Sequence, residues 1–371
     1  MSEEDDILPL PSLMEAWRPP SGGKRVLKGG TVRIRTGRGG GQARPAMSQA
    51  EARAKLERIV RKAPEVMVKV SGKQRSTQHL AEHFGYVSRH GKLEVRSSEG
   101  EIITDEKRLK AIAFDWAMLD EATNIYGRDR PISTSMILSM PGGTAEADTI
   151  LDAVQAFARI EFKGRFSYMV ALHTDTDHPH VHVTVANQGE DGSRFNPRKA
   201  DLHHMRETFA LELRARGIAA EATPRRARGH VQKRVRSAAK HLEARTAAEG
   251  RGLDIHRLVE ERAAEFAQSQ EPERREQDRA ALHRQKFIRG AYAEAATALA
   301  GTGREEDAAL ADEITQFVAD MPPAVSRRLQ RAREIMMADR ASGSADRTEP
   351  SNEPPTDPRD RGVPPPPDRE R

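Results

Sequence analysis

The chain has no cysteine among its 371 residues. Disulfides and thiolate metal ligands are therefore excluded, and a reducing, cytoplasmic setting is expected. Aromatic residues make up only 4% of the chain, few enough that its four tyrosines, Tyr86, Tyr126, Tyr168 and Tyr292, can each be weighed. No apolar run approaches the roughly 20 residues a membrane-spanning helix needs, so membrane insertion is not expected. The opening Met1-Ser-Glu-Glu-Asp-Asp6 lacks the basic and apolar stretches of a secretory signal. Charge of one sign does not dominate either: 61 Lys and Arg face 56 Asp and Glu, for a net charge of +5. The basic excess is small but clustered, which points to a polyanionic partner, while much of the charge in the C-terminal half reads as solvated helix surface.

Residues 1–62 are rich in Gly, Pro and Arg and read as a disordered basic arm, with a short helix near residues 49–62. Residues 63–230 carry the stronger periodicities. Strands are expected at 65–70, 92–96, 133–140, 166–173 and 180–187. Helices are expected at 76–89, where Ser76 is a natural N-cap, and at 105–124, 145–162 and 202–216. That order, with one hairpin, predicts an α+β fold: a mainly antiparallel sheet with helices on one face. Residues 231–340 read as an all-α, heavily charged region with few large core residues. Residues 341–371 read as a disordered Pro/Arg tail.

The densest chemistry is the run His173-Thr-Asp-Thr-Asp-His-Pro-His-Val-His182. Strand alternation puts His180 and His182 on one face and Val181, Val183 and Val185 on the other. Residues 174–179 supply turn chemistry, so a hairpin would set His173 beside His180. Three imidazoles then converge on one point, a site for a divalent metal. The site has another reading: His173-x-Asp175 with a distal histidine also fits the facial triad of a non-haem iron oxygenase.

These residues resemble the third motif of conjugative and mobilisation relaxases, the HUH endonucleases, and in particular the VirD-type relaxases. Tyr86-Val-Ser-Arg-His-Gly-Lys-Leu-Glu94 is similar to the family's tyrosine motif, Ile137-Leu-Ser-Met-Pro141 to its second motif, and Arg225-Arg-Ala-Arg-Gly229 to a basic segment after the hairpin. The resemblance covers residues 65–230. It implies a metal-dependent DNA transesterase that nicks single-stranded DNA at an origin of transfer, through a 5′-phosphotyrosyl intermediate. Tyr86 would be the nucleophile, with Tyr126 the runner-up. His173, His180 and His182 would hold Mg²⁺ or Mn²⁺. Asp175 would orient a histidine or help deprotonate the tyrosine, with Asp177 and His178 as alternatives. Arg89, Lys92, Ser139, Arg198, Lys199, Arg225, Arg226 and Arg228 would contact DNA. The implied partners are relaxosome accessory proteins and a type IV secretion coupling protein. The tail Arg361-Gly-Val-Pro-Pro-Pro-Pro-Asp-Arg-Glu-Arg371 resembles export signals of that system, so export with bound DNA is implied. The competing non-enzymatic reading is a relaxosome component that binds DNA without cleaving it.

Overall fold

The computed structural model describes residues 7–18, 47–176, 178–230 and 276–322, together with isolated positions at 245, 257, 261, 263–264, 330–331, 334–335 and 337. Two units are distinguished. The first comprises residues 1–231 and 283–323, and the second residues 232–282 and 324–371. The expected helices at 230–248, 253–269 and 323–338 and the C-terminal tail lie largely or wholly outside the described residues.

The centre of the first unit is a six-stranded sheet. Its strands are β1 (Met67–Gln74), β2 (Val95–Ser97), β3 (Ile102–Ile103), β4 (Ser133–Ser139), β5 (Tyr168–His173) and β6 (His180–Ala186). They lie in the order β1-β4-β6-β5-β2-β3, and every pair is antiparallel. The chain is thus α+β with an antiparallel sheet, as the alternation of elements predicts. The short β3 is the one strand not anticipated. At two residues it is too brief to leave a periodicity.

The helices within this region are α3 (Thr77–Val87), α4 (Glu106–Thr123), α5 (Ala147–Phe162) and α6 (Lys199–Arg214). Their starts are written in the sequence. Ser76 accepts a hydrogen bond from the His79 N–H, and Asp105 from the Lys107 N–H. Helices α5 and α6 cover one sheet face, where Val68, Met136, Leu138, Val181, Val183 and Val185 meet Phe157, Phe162 and Phe209. Helices α3 and α4 cover part of the opposite face, burying Leu80, Phe84, Val87, Leu109 and Trp116 against Val95, Met169, Ala171 and Ala186. That second face carries the histidines.

The arm contains the short helix expected near residues 49–62, α2 (Gln49–Val60), and a second that was not expected, α1 (Leu10–Trp17). Helix α2 opens with a capping box between Ser48 and Glu51. Both helices pack with α7 (Glu276–Ala300), α8 (Glu305–Ala319) and a 3-10 turn (Arg225–Arg228) around the fully buried Tyr292. Gly and Arg content obscured this. The apolar residues that matter, Leu13, Trp17, Leu56 and Ile59, sit in short stretches between polar runs. The helices after residue 282 therefore do not stand apart as a charged surface region: they complete a second core with the chain's beginning.

Candidate metal and nucleophile site

The β5–β6 hairpin has the register the sequence predicts. His173 lies opposite His180, and Ala171 opposite His182. One ring nitrogen from each of His173, His180 and His182 lies within 4.8 Å of the others, and no other such cluster of possible ligands occurs among the described residues. The ring centroids are 4.4 Å apart for His173 and His182, 5.2 Å for His180 and His182, and 5.3 Å for His173 and His180.

Backbone carbonyls, not carboxylates, orient these rings. The His173 Nε2–H donates to the Val87 carbonyl at 2.8 Å, leaving the Nδ1 lone pair free. The His180 Nδ1–H donates to the His178 carbonyl at 3.1 Å, leaving Nε2 free. Both ring nitrogens of His182 are buried and have no hydrogen-bond partner. An orphaned buried imidazole is costly unless something binds it. Burial, and then the neighbouring His173 and His180, push His182 down to about 3. Burial likewise lowers His173. Both rings are therefore neutral at physiological pH, the form that donates a lone pair to a metal. Three converging nitrogen donors fit a divalent cation with open positions for substrate.

Helix α3 brings Tyr86 over this cluster. Its ring is 6.2 Å from that of His182, edge-on, and 6.3 Å from that of His173, and it is 55% exposed. The Arg89 guanidinium lies over the tyrosine ring at 5.6 Å and is ion-paired with Asp175. Burial acts against the charged form of Asp175. Its own backbone N–H and the Arg89 charge outweigh that and lower it below the usual carboxylate range. The carboxylate thus faces Arg89, not a histidine, and stands outside the imidazole cluster. The two-histidine, one-carboxylate arrangement of an iron oxygenase does not form.

The other tyrosines are placed elsewhere. Tyr168 is buried on the opposite sheet face. Tyr292 is buried in the helical core, where its hydroxyl donates to the Ala227 carbonyl at 2.9 Å. Tyr126 is 75% exposed in the loop after α4.

The predicted DNA contacts divide. Ser139 lies in register beside His180, Arg89 covers Tyr86, and Lys92 is exposed in the same loop. Arg198 and Lys199 are exposed at the start of α6. Arg225, Arg226 and Arg228 lie in the 3-10 turn of the helical core. Arg226 donates to the Arg18 carbonyl at 2.6 Å. Arg228 donates to the Ala63 carbonyl at 3.1 Å and pairs with Glu65. The Arg226 and Arg228 guanidinium groups thus bind backbone carbonyls just beyond the N-terminal helices.

Asp177 lies outside the described residues. His178 acts through its backbone on His180 and through its ring on the loop after β4, accepting the Gly142 N–H at 2.8 Å. One residue of the site was not anticipated. His83, one turn before Tyr86 on α3, is hydrogen-bonded through Nε2 to Thr184 Oγ1 at 2.9 Å. The spacing of His83 and Tyr86, three residues apart on one helix, was its only sequence signal.

The antiparallel sheet thus presents a three-histidine cluster, able to hold a metal ion, beside an exposed tyrosine. Residues 92–217 match the family described as relaxase, MobA/VirD2-like, nuclease domain. The chain is 29% identical over 174 residues to the T-DNA border endonuclease VirD2 of Rhizobium radiobacter, an alignment covering 43% of this chain and 41% of that protein. It is 28% identical over 173 residues to the VirD2 of Agrobacterium fabrum, covering 43% and 39%. Both comparisons thus support a VirD-type relaxase nuclease domain in this part of the chain. It spans less than half the length of these relatives. A solved structure described as the molecular basis of vancomycin resistance transfer in Staphylococcus aureus aligns at 12% identity and a TM-score of 0.29, covering 43% of this chain and 99% of that one. Among the described residues no helix is long and apolar enough to cross a membrane.

Proposed function

We propose that this protein nicks single-stranded DNA at an origin of transfer by tyrosine transesterification, and so starts conjugative or mobilisation transfer. The observation that carries the reading is Tyr86, half exposed and edge-on to one ring of a cluster of converging histidines. The Tyr86 hydroxyl oxygen attacks a phosphodiester phosphorus. The bond from tyrosine oxygen to phosphorus forms, and the bond from phosphorus to the 3′ oxygen breaks. That oxygen leaves with the electron pair and takes a proton from water. The products are a 5′-phosphotyrosyl protein and a free 3′-OH, and the covalent link conserves the bond energy for rejoining.

Asp175, ionised and tied to the tyrosine through Arg89, is assigned to take the phenolic proton. A Mg²⁺ or Mn²⁺ ion bound by His173, His180 and His182 would supply Lewis-acid polarisation of a phosphate oxygen. Ser139, Arg89 and Lys92 border this corner and would hold the phosphates on either side, with Arg198 and Lys199 further along the strand. The assigned partners are relaxosome accessory proteins and a type IV secretion coupling protein. The assigned setting is the cytoplasm, with export of the protein on its DNA.

The test is a covalent adduct. Full-length protein is incubated with denatured DNA from the region flanking its gene, with Mg²⁺ or Mn²⁺, and resolved in SDS. An adduct that forms with wild type, and that Tyr86→Phe reduces by at least ~10³-fold while binding DNA within about threefold of wild type, supports the reading. DNA binding without any adduct in wild type would favour a non-cleaving relaxosome component. An undiminished adduct in Tyr86→Phe would move the nucleophile to Tyr126.

A further inference from the structure

We propose that His83 and Thr184 form a positioning clamp that sets the height and rotation of the tyrosine helix above the histidine cluster. The proposal rests on the relaxase reading for its consequence in catalysis, but not for its geometry.

Helix α3 is joined to the sheet by apolar packing through Leu80, Phe84 and Val87. Such packing fixes which face of the helix is buried, but it tolerates small slides along the axis. Two directional bonds oppose a slide, and they bracket Tyr86. One residue after it, the Val87 carbonyl accepts from His173 on β5. Three residues before it, the His83 ring bonds to Thr184 on β6 at 2.9 Å. Thr184 stands two positions beyond His182 on the same strand, so both hydroxyl and imidazole rise from one sheet face. Thr184 is buried and His83 partly so, and a hydrogen bond shielded from water resists exchange for solvent. The first bond belongs to the histidine cluster itself. The second has no other evident duty: neither His83 nor Thr184 belongs to the cluster. A nucleophile displaced by ~1 Å can lose ~100-fold in rate, so a bond that holds its helix acts on the turnover step and not on DNA affinity.

The test uses the full chain and three variants. Thr184→Val keeps shape and removes the hydroxyl, Thr184→Ser restores the hydroxyl, and His83→Leu removes the other partner. Two measurements are made. The first needs no DNA: amide hydrogen exchange across residues 85–88. Thr184→Val and His83→Leu are expected to exchange there about tenfold faster than wild type, and Thr184→Ser close to wild type. The second is the single-turnover rate of adduct formation with saturating DNA. It is expected to fall ~10–100-fold in Thr184→Val, to recover in Thr184→Ser, and to leave DNA Kd and Mn²⁺ binding unchanged. Wild-type exchange in both Thr184→Val and His83→Leu, or a wild-type rate in Thr184→Val, overturns the clamp. If wild type itself forms no adduct, the relaxase reading fails separately. The exchange data then decide the clamp alone, faster exchange sustaining it and unchanged exchange rejecting it.

Discussion

At the scale of single residues, each cluster histidine is prepared differently. His173 is turned by the Val87 carbonyl and His180 by the His178 carbonyl, while His182 is desolvated with neither nitrogen satisfied. The convergence of the three histidines was legible in the sequence because two-residue alternation and a short turn dictate where strand side chains go. The orienting groups were not legible, because a backbone carbonyl carries no residue identity. The partner of Asp175 was not legible for a related reason. Proximity in sequence suggested a partner for a histidine, but its charge found Arg89, 86 residues away. These roles predict that His180→Ala retains the fold, since the ring lies at a half-buried strand end. It should lose Mn²⁺ affinity by more than the ~10–100-fold that removing a ligand's hydrogen-bond partner costs, and lose adduct formation with it. Calorimetric titration with Mn²⁺ checks this. Undiminished affinity would mean the cluster does not hold the metal through His180.

At the scale of elements, the turn after α3 is where the backbone departs most from ordinary geometry. Arg89, His90 and Gly91 take successive left-handed conformations, with φ of 52°, 57° and 79°. Arg89 in particular is not a residue that prefers it, and strain of about 1–3 kcal/mol at such a position persists only where surrounding structure insists on it. Here the turn reverses the chain so that Arg89 lies over Tyr86. The helix expected over 76–89 ends at Val87, just before this turn. The tighter requirement at Gly91 was invisible: a Cβ there would lie 2.5 Å from the Thr104 carbonyl oxygen. Gly91→Ala is therefore predicted to destabilise by ~1–3 kcal/mol and to slow adduct formation beyond what lost stability explains, because the displaced turn carries Arg89. Chemical denaturation and single-turnover kinetics on one preparation separate the two effects. A variant with wild-type stability would show that the turn relaxes freely.

At the scale of the whole molecule, the nuclease sheet and the helical core are joined by a buried ionic knot. Glu221, just after the last nuclease helix, accepts from Lys55 at 2.8 Å and from Arg58 at 2.9 Å, both on α2. Glu65, beside it, pairs with Arg228 and accepts the Thr223 N–H at 2.9 Å. The two carboxyls respond to pH in opposite senses. For Glu221, burial opposes charge, but Lys55, the Ala222 N–H and Arg58 overcome it and hold the group at about 2, below its ordinary 4.5. Its stabilisation is then fully present above pH 4.5 and lost as pH falls toward 2, a swing of about 3 kcal/mol. For Glu65, burial outweighs Arg228 and the Thr223 N–H and raises the group to about 7. The fold favours its protonated form, so stability declines as pH rises from 4.5 to 7. Glu221→Gln removes the first effect and strands Lys55 in the interior. At pH 7 it should lower Tm by roughly 5–15 °C. The gap should close as pH approaches 2, where wild-type Glu221 is itself neutral. Thermal unfolding of both proteins between pH 7 and pH 2.5 tests this. A gap of constant size across that range would place the contribution of Glu221 in packing and not in its charge, and would remove the knot as the tie between the chain's first helices and its nuclease sheet.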